Sequence, residues 1–168
     1  SSCFVSIRSA VRFCPWAPNI MTKPIHKHLL IRAEVKNPPK ENDDVRLVNW
    51  MRYLIQDIDM KLLFGPVTRY VDVEGNEGLT AIAMIETSHI AMHIWEKEDP
   101  PLIQLDVYTC GPFVPGTVLK ALREFNPVKI RWKFLDREKD LDFKFSGLWK
   151  EGQEWPDNAH LRGEDDTD

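Results

Sequence analysis

The chain has 168 residues, a net charge of −4, 43% hydrophobic and 29% charged residues, the make-up of one globular domain with its own core. This balance offers no basic footprint for nucleic acid, and no apolar run approaches the ~20 residues of a membrane helix. Three cysteines, Cys3, Cys14 and Cys110, do not make a disulfide framework, so a reducing, cytoplasmic setting is the simplest expectation.

Residues 1–20 lack Asp and Glu, start without Met and carry Pro15 and Pro18, whereas Met21-Thr22-Lys23 has the look of a start. The stretch reads as upstream sequence translated in frame, or as a transit peptide. Residues 21–145 are expected to form the domain and 146–168 an irregular acidic tail. Residues 28–35 read as a strand that Pro38 and Pro39 break. A helix is expected over 43–60, capped by Asn42, Asp43 or Asp44, with Val45, Val48, Met51, Leu54, Ile55 and Ile58 recurring at spacings of three and four. Gly65-Pro66 reads as a turn before a short strand at 67–73.

Residues 79–85 and 88–95 read as two successive strands, interrupted by the polar run Glu86-Thr87-Ser88-His89. A charged turn over 96–101 leads to an alternating strand at 102–108. A short helix over 116–125 and a strand at 128–135 follow, and from Asp136 on the chain reads as charged and irregular. The order taken from this is β-α-β-β-β-α-β, with two helices and about five strands. The expected fold class is α+β: a two-layer α/β sandwich, its sheet largely antiparallel and its helices on one face.

The chemistry-bearing residues fall in three groups: Thr87-Ser88-His89, His93-Ile94-Trp95 and Thr109-Cys110-Gly111. Singly they are weak. His89 and His93 are four apart, a spacing that suits metal ligands on a helix and one face of a strand, but no third ligand lies at useful spacing. Cys110 alone reads as a buried thiol. In order, they resemble the prokaryotic-type S-adenosylmethionine decarboxylase proenzymes, whose pattern is E-S-H-x-x-x-H-x-W and then D-x-x-T-C-G. This chain has Ser88, His89, His93 and Trp95, then Asp106, Thr109, Cys110 and Gly111, preceded by Gly78-Leu79-Thr80.

The resemblance implies cleavage between Thr87 and Ser88 and conversion of Ser88 into a covalent pyruvoyl group. Such a ketone forms a Schiff base with a substrate amine and supplies the electron sink that ordinary side chains lack. It further implies that His93 is the processing base, that Thr80 helps hold the attacked carbonyl, and that Cys110 reprotonates Cα after CO2 leaves. A thiol's reference pKa of roughly 8.5 allows donation near neutral pH. Trp95 reads either as core or, with Tyr70, as an aromatic wall for the nucleoside and its sulfonium. S-adenosylmethionine is the implied substrate, spermidine biosynthesis the implied use of the product, and a homodimer with sites at or near its interface the implied assembly.

Two departures stand out. Thr87 replaces the family's Glu, and Glu96-Lys97-Glu98 replaces the P-E that follows the tryptophan, so the ribose-binding acid has no certain match beyond Glu96 or Glu98. Decarboxylation of arginine or ornithine, or an uncut non-catalytic relative, are the alternatives these departures leave open.

Overall fold

A computed structural model of the chain describes residues 26–138 and 141–156. Strands β1 (Lys27–Val35), β2 (Leu62–Val71), β3 (Gly78–Ile85), β4 (Ser88–Trp95), β5 (Leu102–Thr109), β6 (Pro127–Asp136) and β7 (Asp142–Lys150) are joined by helices α1 (Asp44–Asp57) and α2 (Pro115–Ala121). A 3-10 turn at Leu122–Phe125 extends α2. The seven strands form one sheet in the order β2-β3-β4-β5-β1-β6-β7. Every neighbouring pair is antiparallel.

Period-two alternation gives the sheet two unlike faces. Leu29, Ile31, Ala33 and Val35 of β1, Leu79, Ala81 and Ala83 of β3, and Ile103, Leu105 and Val107 of β5 share one buried cluster with Leu47, Met51 and Leu54 of α1 and Val118 and Leu119 of α2. His28, Leu30 and Arg32, Thr80, Ile82 and Met84, and His89, Ala91 and His93 alternate with those core residues and face the other way. Ile82 and Met84 there are 48% and 51% exposed. The architecture is the expected α+β sandwich, with both helices of the described residues on one face.

Four sequence expectations need correction. The buried stripe of α1 is Leu47, Trp50, Met51, Leu54 and Ile55, while Val45 is exposed. Trp50 sets this phase: its indole N–H donates to the Ala121 carbonyl at 3.1 Å, and its ring lies 5.0 Å from Phe125. Gly65-Pro66 is no turn; β2 runs through it with register shifts at Leu62/Phe64 and Phe64/Val67. An edge strand tolerates proline at such an irregularity, where no ladder hydrogen bond is lost.

Among the described residues the strand count is seven rather than about five, and part of the difference is β7, which lies in the region read as irregular and crosses the expected boundary at residue 145. The charged Asp142, Lys144 and Lys150 mask its pattern, but Phe145 stacks on Phe134 at 5.0 Å and Trp149 is buried opposite Ile130. Residues 1–20 and 157–168 lie outside the described residues.

Gly78 opens β3 at φ +153°, and a Cβ there would lie 1.8 Å from the Ile94 carbonyl oxygen. Gly78→Ala is therefore expected to destabilise the protein by about 2–3 kcal/mol through backbone strain, measurable as a lowered urea midpoint with unchanged m value.

Candidate active site

Strands β3 and β4 form a hairpin in which Ile85 pairs with Ser88, leaving Glu86-Thr87 as the two-residue turn. The two turn residues point to different surroundings. Glu86 faces solvent and meets Lys61 at 2.6 Å. Thr87 turns inward: its hydroxyl donates to Met60 Sδ at 3.0 Å and accepts from the Thr109 hydroxyl at 2.8 Å. Thr109 is fully buried and also accepts the Gly111 N–H at 3.0 Å. A small β-branched hydroxyl residue thus fills the site where the resemblance leads one to expect Glu.

The Thr87–Ser88 peptide is held in an unusual state. The Thr87 carbonyl accepts the Cys110 backbone N–H at 2.7 Å. Ser88 has φ +148°, a region open almost only to glycine and costing other residues on the order of 1–3 kcal/mol. Ser88 Oγ lies 3.2 Å from His89 Nδ1. A hydroxyl, a strained peptide and a donor already on the carbonyl oxygen are the parts that acyl transfer requires.

Around this peptide the open face carries a polar cluster drawn from four elements. His26, just before β1, meets the Tyr108 hydroxyl at 2.9 Å and Cys110 Sγ at 3.4 Å through Nδ1. His28 Nε2 donates to Asp106 Oδ1 at 2.6 Å, and His89 Nε2 is 3.8 Å from the same oxygen. The Arg137 guanidinium stands 4.1 Å over the Tyr108 ring. Burial, with the neighbouring Cys110 sulfur, pushes the Tyr108 phenol above its usual range, so it stays protonated near neutral pH.

His93 and Thr80 are not part of this cluster. They pair across β3 and β4, with Thr80 Oγ1 3.2 Å from His93 Nδ1. His93 lies five positions along β4 from Ser88, roughly 16 Å at strand spacing. The Cys110 N–H, not Thr80, touches the Thr87 carbonyl within the chain.

The expected nucleoside-binding residues sit at the His93 end. Trp95 is half-buried, lies 6.1 Å from the His93 ring and donates to Asn76 Oδ1 at 2.7 Å. Tyr70 donates to Glu96 Oε1 at 2.8 Å, and this bond to a carboxylate pushes the phenol up to about 12. Glu96 Oε2 is buried without a partner among the described residues.

The family model of S-adenosylmethionine decarboxylase matches residues 27–138, from the first residue of β1 to just past β6. The chain belongs to that family. The S-adenosylmethionine decarboxylase proenzyme of Archaeoglobus fulgidus is 38% identical over 64 residues, covering 36% of this chain and 54% of that relative. The chain thus matches little more than half of that decarboxylase's length, and β7 with Trp149 lies beyond the matched family segment.

Within this decarboxylase-family domain, the sequence reading missed His26, His28, Tyr108 and Arg137 as members of the cluster that includes Cys110, Asp106 and His89. Alternation in β1 places His28 and Leu30 on one face, with His26 just ahead of the strand, but nothing local reveals that β1 lies between β5 and β6. Asp106 is quoted in the motif, yet its contact with two histidines depends on the β1–β5 and β4–β5 registers.

Proposed function

We propose that the protein is a self-processing decarboxylase of S-adenosylmethionine, made as a proenzyme and cut between Thr87 and Ser88. Family membership supports the reaction class. The observation that carries the processing step is the Thr87–Ser88 peptide: a serine at φ +148° whose attacked carbonyl already accepts a 2.7 Å hydrogen bond from Cys110 N–H. That geometry fits the formation of a pyruvoyl group from Ser88. Once formed, such a group supplies an electron sink for the charge left on Cα when CO2 departs.

The chain's own residues divide the remaining work. Cys110 presents its thiol beside His26 and Tyr108, near the new terminus, where it can return a proton to Cα. Tyr70, Glu96 and Trp95 offer a hydroxyl, a carboxylate and an aromatic face to a ribose and adenine. His93, with Thr80 beside it, serves the later step of processing in a neighbouring copy, taking the Ser88 α-proton once the ester has formed. Two features support a homodimer closed over the open face. The Thr80–His93 pair lies roughly 16 Å along the strand from its own Ser88, and Ile82 and Met84 of β3 leave apolar side chains exposed on that face, as at the edge of an interface. In such an assembly each site draws on both copies.

Intact mass of the purified chain is expected to show two fragments, the second starting with a blocked pyruvoyl terminus. Carboxyl-labelled S-adenosylmethionine should then release CO2, with arginine and ornithine releasing little. A single uncut mass would defeat this reading in favour of a non-catalytic relative. Preferential CO2 release from a basic amino acid would reassign the substrate.

A further inference from the structure

Self-cleavage begins by removing the Ser88 hydroxyl proton, and only one ring among the described residues is placed to take it. In a regular strand Ser88 and His89 would point to opposite faces. Here Ser88 has φ +148°, and its Oγ sits 3.2 Å from Nδ1 of its own neighbour. The other ring nitrogen of His89 lies 3.8 Å from Asp106 Oδ1. That carboxylate is fixed from the opposite side by the 2.6 Å bond from His28 Nε2. The order hydroxyl, imidazole, carboxylate is the one that activates a serine nucleophile.

We propose that His89 is the catalytic base for the first step of processing and that Asp106 is its positioning residue. The inference rests on the self-cleavage reading above and deepens it. Asp106 favours the tautomer with its proton on Nε2, which leaves the Nδ1 lone pair facing Ser88. Nδ1 takes the Oγ proton as Oγ bonds to the Thr87 carbonyl carbon. The carbonyl electrons move onto oxygen, and the Cys110 N–H donates its hydrogen bond to the resulting oxyanion. When the carbonyl reforms, the C–N bond breaks, its electron pair stays on the Ser88 nitrogen, and the imidazolium proton passes to that nitrogen. The product is an ester between Thr87 and Ser88 Oγ with a free Ser88 amine, and no co-reactant is consumed. Every group in this step belongs to one chain, so the ester forms without a second copy.

The test follows cleavage of the full chain by intact mass, with hydroxylamine added to parallel samples to cut any ester. His89→Ala and His89→Gln should cleave on the order of 100-fold more slowly than wild type and remain whole in hydroxylamine. Added imidazole should restore cleavage to His89→Ala. Asp106→Asn should slow cleavage about tenfold, and the double variant His89→Ala/Asp106→Asn should be no slower than His89→Ala alone, as for residues acting as a unit. The Gln variant, with its melting curve, guards against loss of fold. A wild-type chain that stays whole would overturn the functional reading. If wild type cleaves, an undiminished rate in both His89 variants, or their stalling as a hydroxylamine-sensitive ester, would overturn the assignment of His89. Additive slowing in the double variant would overturn the role given to Asp106.

Discussion

Ser88→Ala is expected to leave a single full-length chain that takes up no borohydride-reducible amine and releases no CO2 from S-adenosylmethionine. The loss should be complete rather than partial, because the hydroxyl is both the nucleophile of processing and the source of the carbonyl. Stability should change little: the hydrogen-bond partner of Ser88 Oγ is the half-exposed His89, and a bond of that kind contributes about 1 kcal/mol or less. The uncut variant still carries an intact Thr80–His93 pair, which makes it a useful partner. Mixed with a His93→Ala chain, Ser88→Ala should allow the His93→Ala protomers to be cut, since each mixed dimer then holds one site with both Ser88 and a neighbour's His93. Mass spectrometry distinguishes the two chains. Cleavage of neither would show that His93 does not act across an interface.

The residues that would be cut and those that would act on the cut were legible to different degrees, for physical reasons. The β3–β4 hairpin shows in the sequence because a strongly apolar run and a second strand-like run flank a short polar break, and a local pattern needs no long-range information. The Gly65-Pro66 step misled because both residues mark turns, while an edge strand absorbs them as an irregularity. The charges of β7 hid an alternation that becomes meaningful only when Phe134 and Ile130 lie opposite it. At the site, the motif brings Ser88 and Cys110 to notice, yet it points to the cysteine's sulfur and says nothing of its backbone N–H. That N–H reaches Thr87 because β4 and β5 pair in the register Ser88 to Thr109. Register between strands is a tertiary fact. His28 and Arg137 reach the site from β1 and from the end of β6, 78 and 29 residues from Asp106 and Tyr108 respectively, distances in sequence that no periodicity bridges.

The same separation of backbone from side chain gives Cys110 its second expected result. Cys110→Ala keeps the N–H that holds the Thr87 carbonyl at 2.7 Å, so the chain should still be cut and the pyruvoyl mass should still appear. The thiol, half-buried and 3.4 Å from His26 Nδ1, disappears. If that thiol returns the proton to Cα, turnover of S-adenosylmethionine should fall by roughly 10²–10⁴, the usual contribution of a positioned acid, with KM little changed because the step lost follows binding. Cys110→Ser, which retains a weaker proton donor, should fall between the two. Single-turnover measurements on the cut variant, comparing CO2 release with appearance of the decarboxylated product, locate the deficit after carbon dioxide has left. A cut Cys110→Ala enzyme with undiminished turnover would transfer the proton-donor role to another member of the cluster, with Tyr108, held protonated by its surroundings, the group then to be replaced.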